Sequence, residues 1–326
     1  MGIQGRTATT DTGPGRRLRA LFALAGPADA GRAAARLGVE APGPADRLGT
    51  GPTEADLQEV RALLSDGTYA ATRTPLPLSA LGWMLEFDVP ALSATVLQDI
   101  RIPPGIRRDV AHGRTFGAAP GRPGARSAPT TWPGSALPKD FVLDYPRFKP
   151  AGQDHRPDDP DPTGLITALR ESALAGRMAP ARALADEVSG ADWGPIAAAD
   201  RDLPLGGYPR WALSIRPDCP EPLRAQFGSW QPRYARRMHR AGIIRDLTEY
   251  VLHEAAPETA LDTLTVGGWA FPGRIHPVRG PLGELVREEL GGNVEAWAVF
   301  AQLLPTFSGS LTELVVTAGA VAYSAN

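Results

Sequence analysis

The sequence predicts an all-α protein, an irregular, repeat-like array of helical hairpins separated by Pro/Gly-rich loops. Three observations carry this reading. Apolar residues recur at helical intervals, as in Leu57, Val60, Leu63 and Leu64. Helix-start signals stand where such runs begin, with Thr53 paired to Asp56 and Ser310 to Glu313 in the capping-box arrangement. Proline falls mainly at segment starts, as at Pro90, Pro220 and Pro232, where its missing N–H costs nothing.

Taken in order, residues 1–15 are polar and Gly/Thr-rich without periodicity and read as a disordered tail. Residues 16–116 form an N-terminal helical unit: two pieces broken at Gly26-Pro27, the capped helix after Thr53, an apolar hairpin over 78–87 and 91–100, and a short basic helix over 105–111. Residues 117–163 hold ten prolines and read as a linker, with Phe141–Tyr145 as a short extended arm. Residues 164–326 form a C-terminal helical unit. Its helices are expected near 164–174, 179–188, 211–216, 223–227, 232–241, 242–253, 258–264, 281–290, 293–304 and 310–322, with 267–281 as a second Gly/Pro-rich excursion.

With 326 residues the chain has room for two domains, each able to bury a core. Its single cysteine, Cys219, excludes an internal disulfide, so the reading is cytoplasmic. The apolar run 20–25 after Arg16, Arg17 and Arg19 is cut short by Gly26-Pro27, well below the length of a membrane span, and Arg6 stands where myristoylation wants Ser or Thr. A net charge of −2 excludes a chain that attracts nucleic acid or acidic lipid as a whole, and leaves local patches to be judged separately.

The stretch 207–240 organises the C-terminal part: helix, a Pro217-Asp218-Cys219-Pro220 corner, a shorter helix, then a third helix opened by Pro232. An echo of that corner lies upstream. Pro103-x-x-Ile106-Arg107-x-x-Val110 aligns with Pro220-x-x-Leu223-Arg224-x-x-Phe227, each preceded by a helix carrying Leu97 or Leu213. A looser third copy runs from Trp297 through Pro305 to Leu311 and Leu314. In stacked helical pairs such positions share one core, here Leu97, Leu213, Ile106, Leu223, Val110 and Phe227. At these corners the chain resembles divergent helical-repeat proteins of the HEAT-like and variant leucine-rich-repeat kind. The resemblance covers well under half the chain and has no fixed period. It implies a binding scaffold and carries over no catalytic residue.

The sharpest local signal is the helix after Pro232. Arg233, Arg236, Arg237 and Arg240 fall at i, i+3, i+4 and i+7 and share one face, while Tyr234, Met238 and Ala241 take the other. With Arg210, Arg216, Arg224 and Arg245 nearby in sequence, the stripe belongs to a basic region of a slightly acidic protein, and guanidinium groups suit bidentate contact with phosphate or carboxylate. The stripe therefore reads either as a site for nucleic acid, a phosphate ligand or an acidic partner, or as a solvated face whose charges meet carboxylates such as Asp246 and Glu249. Cys219 reads as a structural thiol. His112, His155, His239, His253 and His276 show no metal spacing, and Pro257 stands where a zinc-protease helix needs its second histidine. Asp154, Asp158, Asp159 and Asp161 lack the Gly and closing Glu of a calcium loop. No nucleotide-binding glycine fingerprint and no G-x-S-x-G elbow occurs, so no cofactor, metal or catalytic residue is expected.

The last helix is apolar all round, which reads as buried or covered by a partner, with Leu314 and Val315 as candidate contacts. Trp83, Trp211 and Trp297 sit in apolar helices and read as core, whereas Trp230 and Trp269 flank breaks and suit a groove. The functional expectation is a non-enzymatic scaffold for a protein partner. Binding of nucleic acid or phosphate through the arginine face, and an enzyme with dispersed residues, are the rival readings.

Overall fold

The computed structural model describes residues 13–40, 52–64, 76–114, 116 and 162–324. Among these there are 17 helices and no strand, an all-α fold. In chain order the helices are α1 (Gly13–Phe22), α2 (Pro27–Leu37), α3 (Glu54–Leu63), α4 (Leu78–Leu85), α5 (Pro90–Val96), α6 (Pro104–Ala111), α7 (Pro162–Leu174), α8 (Met178–Asp186) and α9 (Trp193–Asp202). Then follow α10 (Gly207–Ser214), α11 (Glu221–Gln226), α12 (Pro232–Arg240), α13 (Leu247–Glu249), α14 (Pro257–Ala270), α15 (Pro272–Glu289), α16 (Val294–Leu303) and α17 (Leu311–Ser324). The expected extended arm at 141–145 and the Asp154–Asp161 cluster lie outside the described residues, as does the tail up to residue 12. Residues 13–15, expected in that tail, open α1 instead.

The chain divides into two compact units, Met1–Thr50 with Asp246–Asn326, and Gly51–Arg245. The division expected at 117–163 therefore falls inside the second unit. The reason is visible in the first unit, where α1 packs on α14 and α2 on α16, so the earliest helices find their partners at the far end of the chain. Arg17, 5% exposed, anchors that pairing through Asp262 at 2.7 and 2.8 Å and through Glu258. The Phe22 ring tilts onto Trp297 at 4.9 Å, in a core completed by Phe300, Leu314 and Val315.

Two expectations for the C-terminal helices fail. Residues 267–281 are helical, not an excursion: α14 runs to Ala270 and α15 carries Pro277 and Pro281 within it. Each proline removes one intrahelical hydrogen bond. Burial of Ile275, Val278, Leu282 and Val286 along one face outweighs that loss. The helix expected over 242–253 is not continuous either. Gly242 adopts φ +75°, ending the preceding helix, and the chain restarts at α13 with Asp246 accepting from the N–H groups of Thr248 and Glu249. A single π-helical turn, Tyr250–Glu254, completes it.

In the second unit the capping box of α3 forms as read, with Thr53 and Asp56 bonding reciprocally. The two echoing corners are closed by like hydrogen bonds. Arg107 donates to the carbonyls of Leu97, Asp99 (2.7 Å) and Ile102 (2.9 Å). Arg224 donates to those of Ser214 (3.1 Å), Arg216 (2.5 Å) and Pro217 (3.4 Å). Each arginine thus satisfies the orphan carbonyls where one helix ends before the next begins. Beside each sits a two-pronged ion pair between residues two apart, in opposite order. Asp99 holds Arg101 at 2.9 and 2.7 Å, and Arg216 holds Asp218 at 2.8 and 2.7 Å. The arginine of each pair reaches on to an earlier carbonyl, Leu76 at 2.8 Å or Ala185 at 2.6 Å. The six core positions named from the echo are all buried. The looser third copy has threonine, Thr312, where the others have the corner arginine.

Candidate functional site

Helix α12 is fixed at both ends within the second unit. Pro232 opens it, Met238 is fully buried, and the turn after it is gripped by α4: Ser79 N–H donates to Gly242 O at 2.9 Å and Ile244 N–H to Ser79 Oγ at 2.9 Å. Gly242 needs its glycine twice over, since a Cβ would lie 2.7 Å from Leu78 N in addition to the positive φ.

The arginines of the basic stretch separate into two classes. Arg210, Arg216 and Arg224 are structural. Arg210 is paired with Asp200 at 2.8 and 3.0 Å, and the other two close the corner described above. Arg233, Arg236, Arg237 and Arg240 are all exposed, and none forms an ion pair with a described carboxylate. Asp246, read from the sequence as a counter-charge, caps α13 instead. Arg233 lies over the Tyr234 ring at 4.7 Å, and Arg245 lies over Trp230 at 5.9 Å. Like charges at i, i+4 on a helix repel, so the row costs the fold stability rather than adding to it.

Beside the row is a cleft of about 230 Å³ lined by Leu205, Gly207, Arg210, Trp211, Ser214, Phe227, Ser229, Arg233 and Tyr234. Arg233 belongs to both. Tyr234, assigned from the sequence to an inward face, is half-buried along the cleft, and Trp211, assigned to core, is half-buried there too. The cleft itself was not read from the sequence; its signal was the aromatic pair Trp211 and Phe227 flanking the corner.

Asp200 positions Arg210 and is 2% exposed. Burial pushes its carboxyl pKa up, but hydrogen bonds from Arg210, Gln226 and the Leu205 N–H, with the Arg210 charge, outweigh burial and hold it below the ordinary carboxylate value. A depressed folded-state value stabilises the fold above the unfolded value, about 3.9, and that contribution is lost as pH falls through the folded value. Asp200→Asn is therefore expected to lower the urea midpoint at pH 7, with the deficit shrinking below about pH 4 as the wild-type carboxyl protonates.

Cys219 is 3% exposed, and burial pushes its thiol up to about 12, with Asp218 adding to the rise and Arg224 and Arg216 opposing it. It is a packing residue of the core around Leu213, Leu223 and Phe227. A thiol reagent at pH 8 should leave it unmodified in the native protein and label it once urea unfolds the chain.

Leu314 and Val315, the candidate partner contacts, each have 0% exposure. Helix α17 packs on α15 and α16, and its large hydrophobic residues that reach solvent are Val316, Val321 and Tyr323. Trp297 is buried as expected and donates to Gly291 O at 3.0 Å, while Trp230 is half-buried and donates to Glu221 at 2.6 Å. Among the described residues no group of three or more His, Cys, Asp or Glu is placed to hold a metal ion, and no helix is long and apolar enough to cross a membrane.

No family model, no curated protein and no solved structure matches the chain.

Proposed function

We propose that the protein is a non-enzymatic binding scaffold whose second unit presents the arginine row of α12 to an acidic segment of a protein partner. The carrying observation is the row itself: four exposed guanidinium groups on one helix face with no ion pair to a described carboxylate. An anionic partner relieves a repulsion that the fold otherwise bears. The paired corners of α5–α6 and α10–α11 support a repeat-like array beneath this surface, since each uses an arginine to the same carbonyl pattern. A protein segment is favoured over nucleic acid because the row spans only one helix of nine residues, about 13 Å, on a chain of net charge −2. Nucleic-acid sites ordinarily extend over a longer basic track.

The test is fluorescence anisotropy of a labelled glutamate homopeptide and of a labelled DNA duplex, each titrated with the wild type and with Arg233, Arg236, Arg237 and Arg240 changed to Gln. Four exposed charge contacts together should be worth roughly tenfold in peptide affinity. The variant should remain as stable as the wild type, because the lost charges repelled one another. Duplex binding tighter than peptide binding, and lost in the folded variant, would move the reading to nucleic acid. Equal peptide binding by both proteins would remove the row from the account.

A further inference from the structure

We infer that the cleft beside the arginine row takes one apolar or aromatic side chain of the bound segment, so that the partner is an acidic peptide interrupted by a single hydrophobic residue. This inference rests on the arginine-row reading and adds a specificity determinant to it. Three observations lead there. The first is size: at about 230 Å³ the cleft falls below the roughly 300–1,000 Å³ of pockets for drug-sized ligands and suits a single side chain.

The second is the chemistry of the lining. Leu205, Trp211 and Phe227 supply apolar wall, and the hydroxyls of Ser214 and Ser229 and the Arg210 guanidinium are already committed. Ser214 gives its proton to Arg210 O at 2.6 Å, so the close Ser214–Ser229 contact takes the proton of Ser229. The Arg210 charge is met by Asp200 through two bonds. What remains for a guest is the aromatic side chains of Trp211, Phe227 and Tyr234 with the Arg233 guanidinium, a lining that suits an aromatic ring.

The third is the placement of Arg233, which is exposed, lines the cleft and stands first in the row. A peptide whose carboxylates lie along Arg233, Arg236, Arg237 and Arg240 passes the cleft opening at Arg233. A hydrophobic residue there has a cavity to enter, and acidic residues beyond it have the guanidinium groups. Aromatic or aliphatic anchors in small pockets, ringed by polar contacts, are the usual arrangement of hot spots.

Two peptides test this, a glutamate homopeptide and the same peptide with phenylalanine at its centre, titrated by anisotropy into three full-length proteins. The wild type should bind the phenylalanine peptide about tenfold more tightly, the worth of burying most of one aromatic side chain. The quadruple Arg→Gln variant should lose affinity for both. Gly207→Leu is the occluding variant: Gly207 lines the cleft, is exposed, and a Cβ there meets nothing within 4 Å, so the added side chain is accommodated without backbone displacement. It should erase the preference for phenylalanine while leaving homopeptide affinity within about twofold, because the row is intact. Equal wild-type affinity for the two peptides overturns the cleft inference and leaves the row standing. A preference that survives Gly207→Leu also overturns it, since the aromatic ring then sits elsewhere. Failure of both peptides to bind the wild type overturns the row and the cleft together.

Discussion

Arg216→Ala is expected to destabilise the second unit by about 3–5 kcal/mol, the cost of breaking a buried pair by removing one partner. Arg216 is 1% exposed and the Asp218 side chain 4%, so truncation leaves a carboxylate in the core with its guanidinium gone. It also strips one of the donors from Ala185 O and removes the cation that lies over Trp193 at 5.4 Å. The other corner suggests a rescue. There the same ion pair is built in the opposite order, from Asp99 and Arg101. The double variant Arg216→Asp with Asp218→Arg should therefore recover a measurable part of the loss in urea unfolding. Full recovery is not expected, because Trp193 Nε1 donates to Asp218 at 3.2 Å and loses that acceptor. A double variant no more stable than Arg216→Ala would show that the two corners are not equivalent.

Gly105→Ala should be nearly as damaging, at the upper end of the roughly 1–3 kcal/mol typical of overpacking, or beyond it. A Cβ on Gly105 would lie 1.9 Å from Val188 O and 2.7 Å from Val188 C. Those are backbone atoms, so no side-chain rotation relieves the collision. The segment cannot easily retreat, because it is tied to α6 on both sides. Arg108 bonds Glu187 through Oε2 at 3.0 Å and its carbonyl at 2.6 Å, and Gly190 N–H bonds Asp109 at 2.6 Å. Most glycine-to-alanine changes in a helix add stability through propensity, so the sign of this effect discriminates. Gly31→Ala, in α2 with nothing within 4 Å of its Cβ, is the control and should be neutral or stabilising by thermal melt.

Which parts of this were legible in the sequence follows from how local each cause is. The α3 start was readable because Thr53 and Asp56 satisfy each other within one turn. The common face of Arg233, Arg236, Arg237 and Arg240 was readable because helical spacing alone places it. What those arginines do not touch was unreadable, since it depends on which carboxylates the tertiary fold brings near. For the same reason Arg216 and Arg224 looked like members of one basic region, though they close a corner. A signal was present, an Asp and an Arg two residues apart just before each Pro-x-x-[Ile/Leu]-Arg, but i, i+2 pairing across a turn follows no helical rule. Residues 267–281 misled through composition. Pro277 and Pro281 weigh against a helix locally, and only the burial of Ile275, Val278 and Leu282 against other helices reverses the balance. Leu314 and Val315 read from their apolarity as candidate partner contacts, yet each is buried within the chain; whether an apolar helix is covered by its own chain or by another is a tertiary fact.

The most direct test of the central claim is the salt dependence of glutamate-peptide affinity for the wild type and for variants that lose the row one arginine at a time. If Arg233, Arg236, Arg237 and Arg240 form the contact, wild-type affinity should fall steeply between low and moderate salt, because exposed charges are screened over about 8–10 Å. Each Arg→Gln step should flatten that dependence. An affinity that does not respond to salt, or a dependence unchanged when all four arginines are gone, would contradict the account.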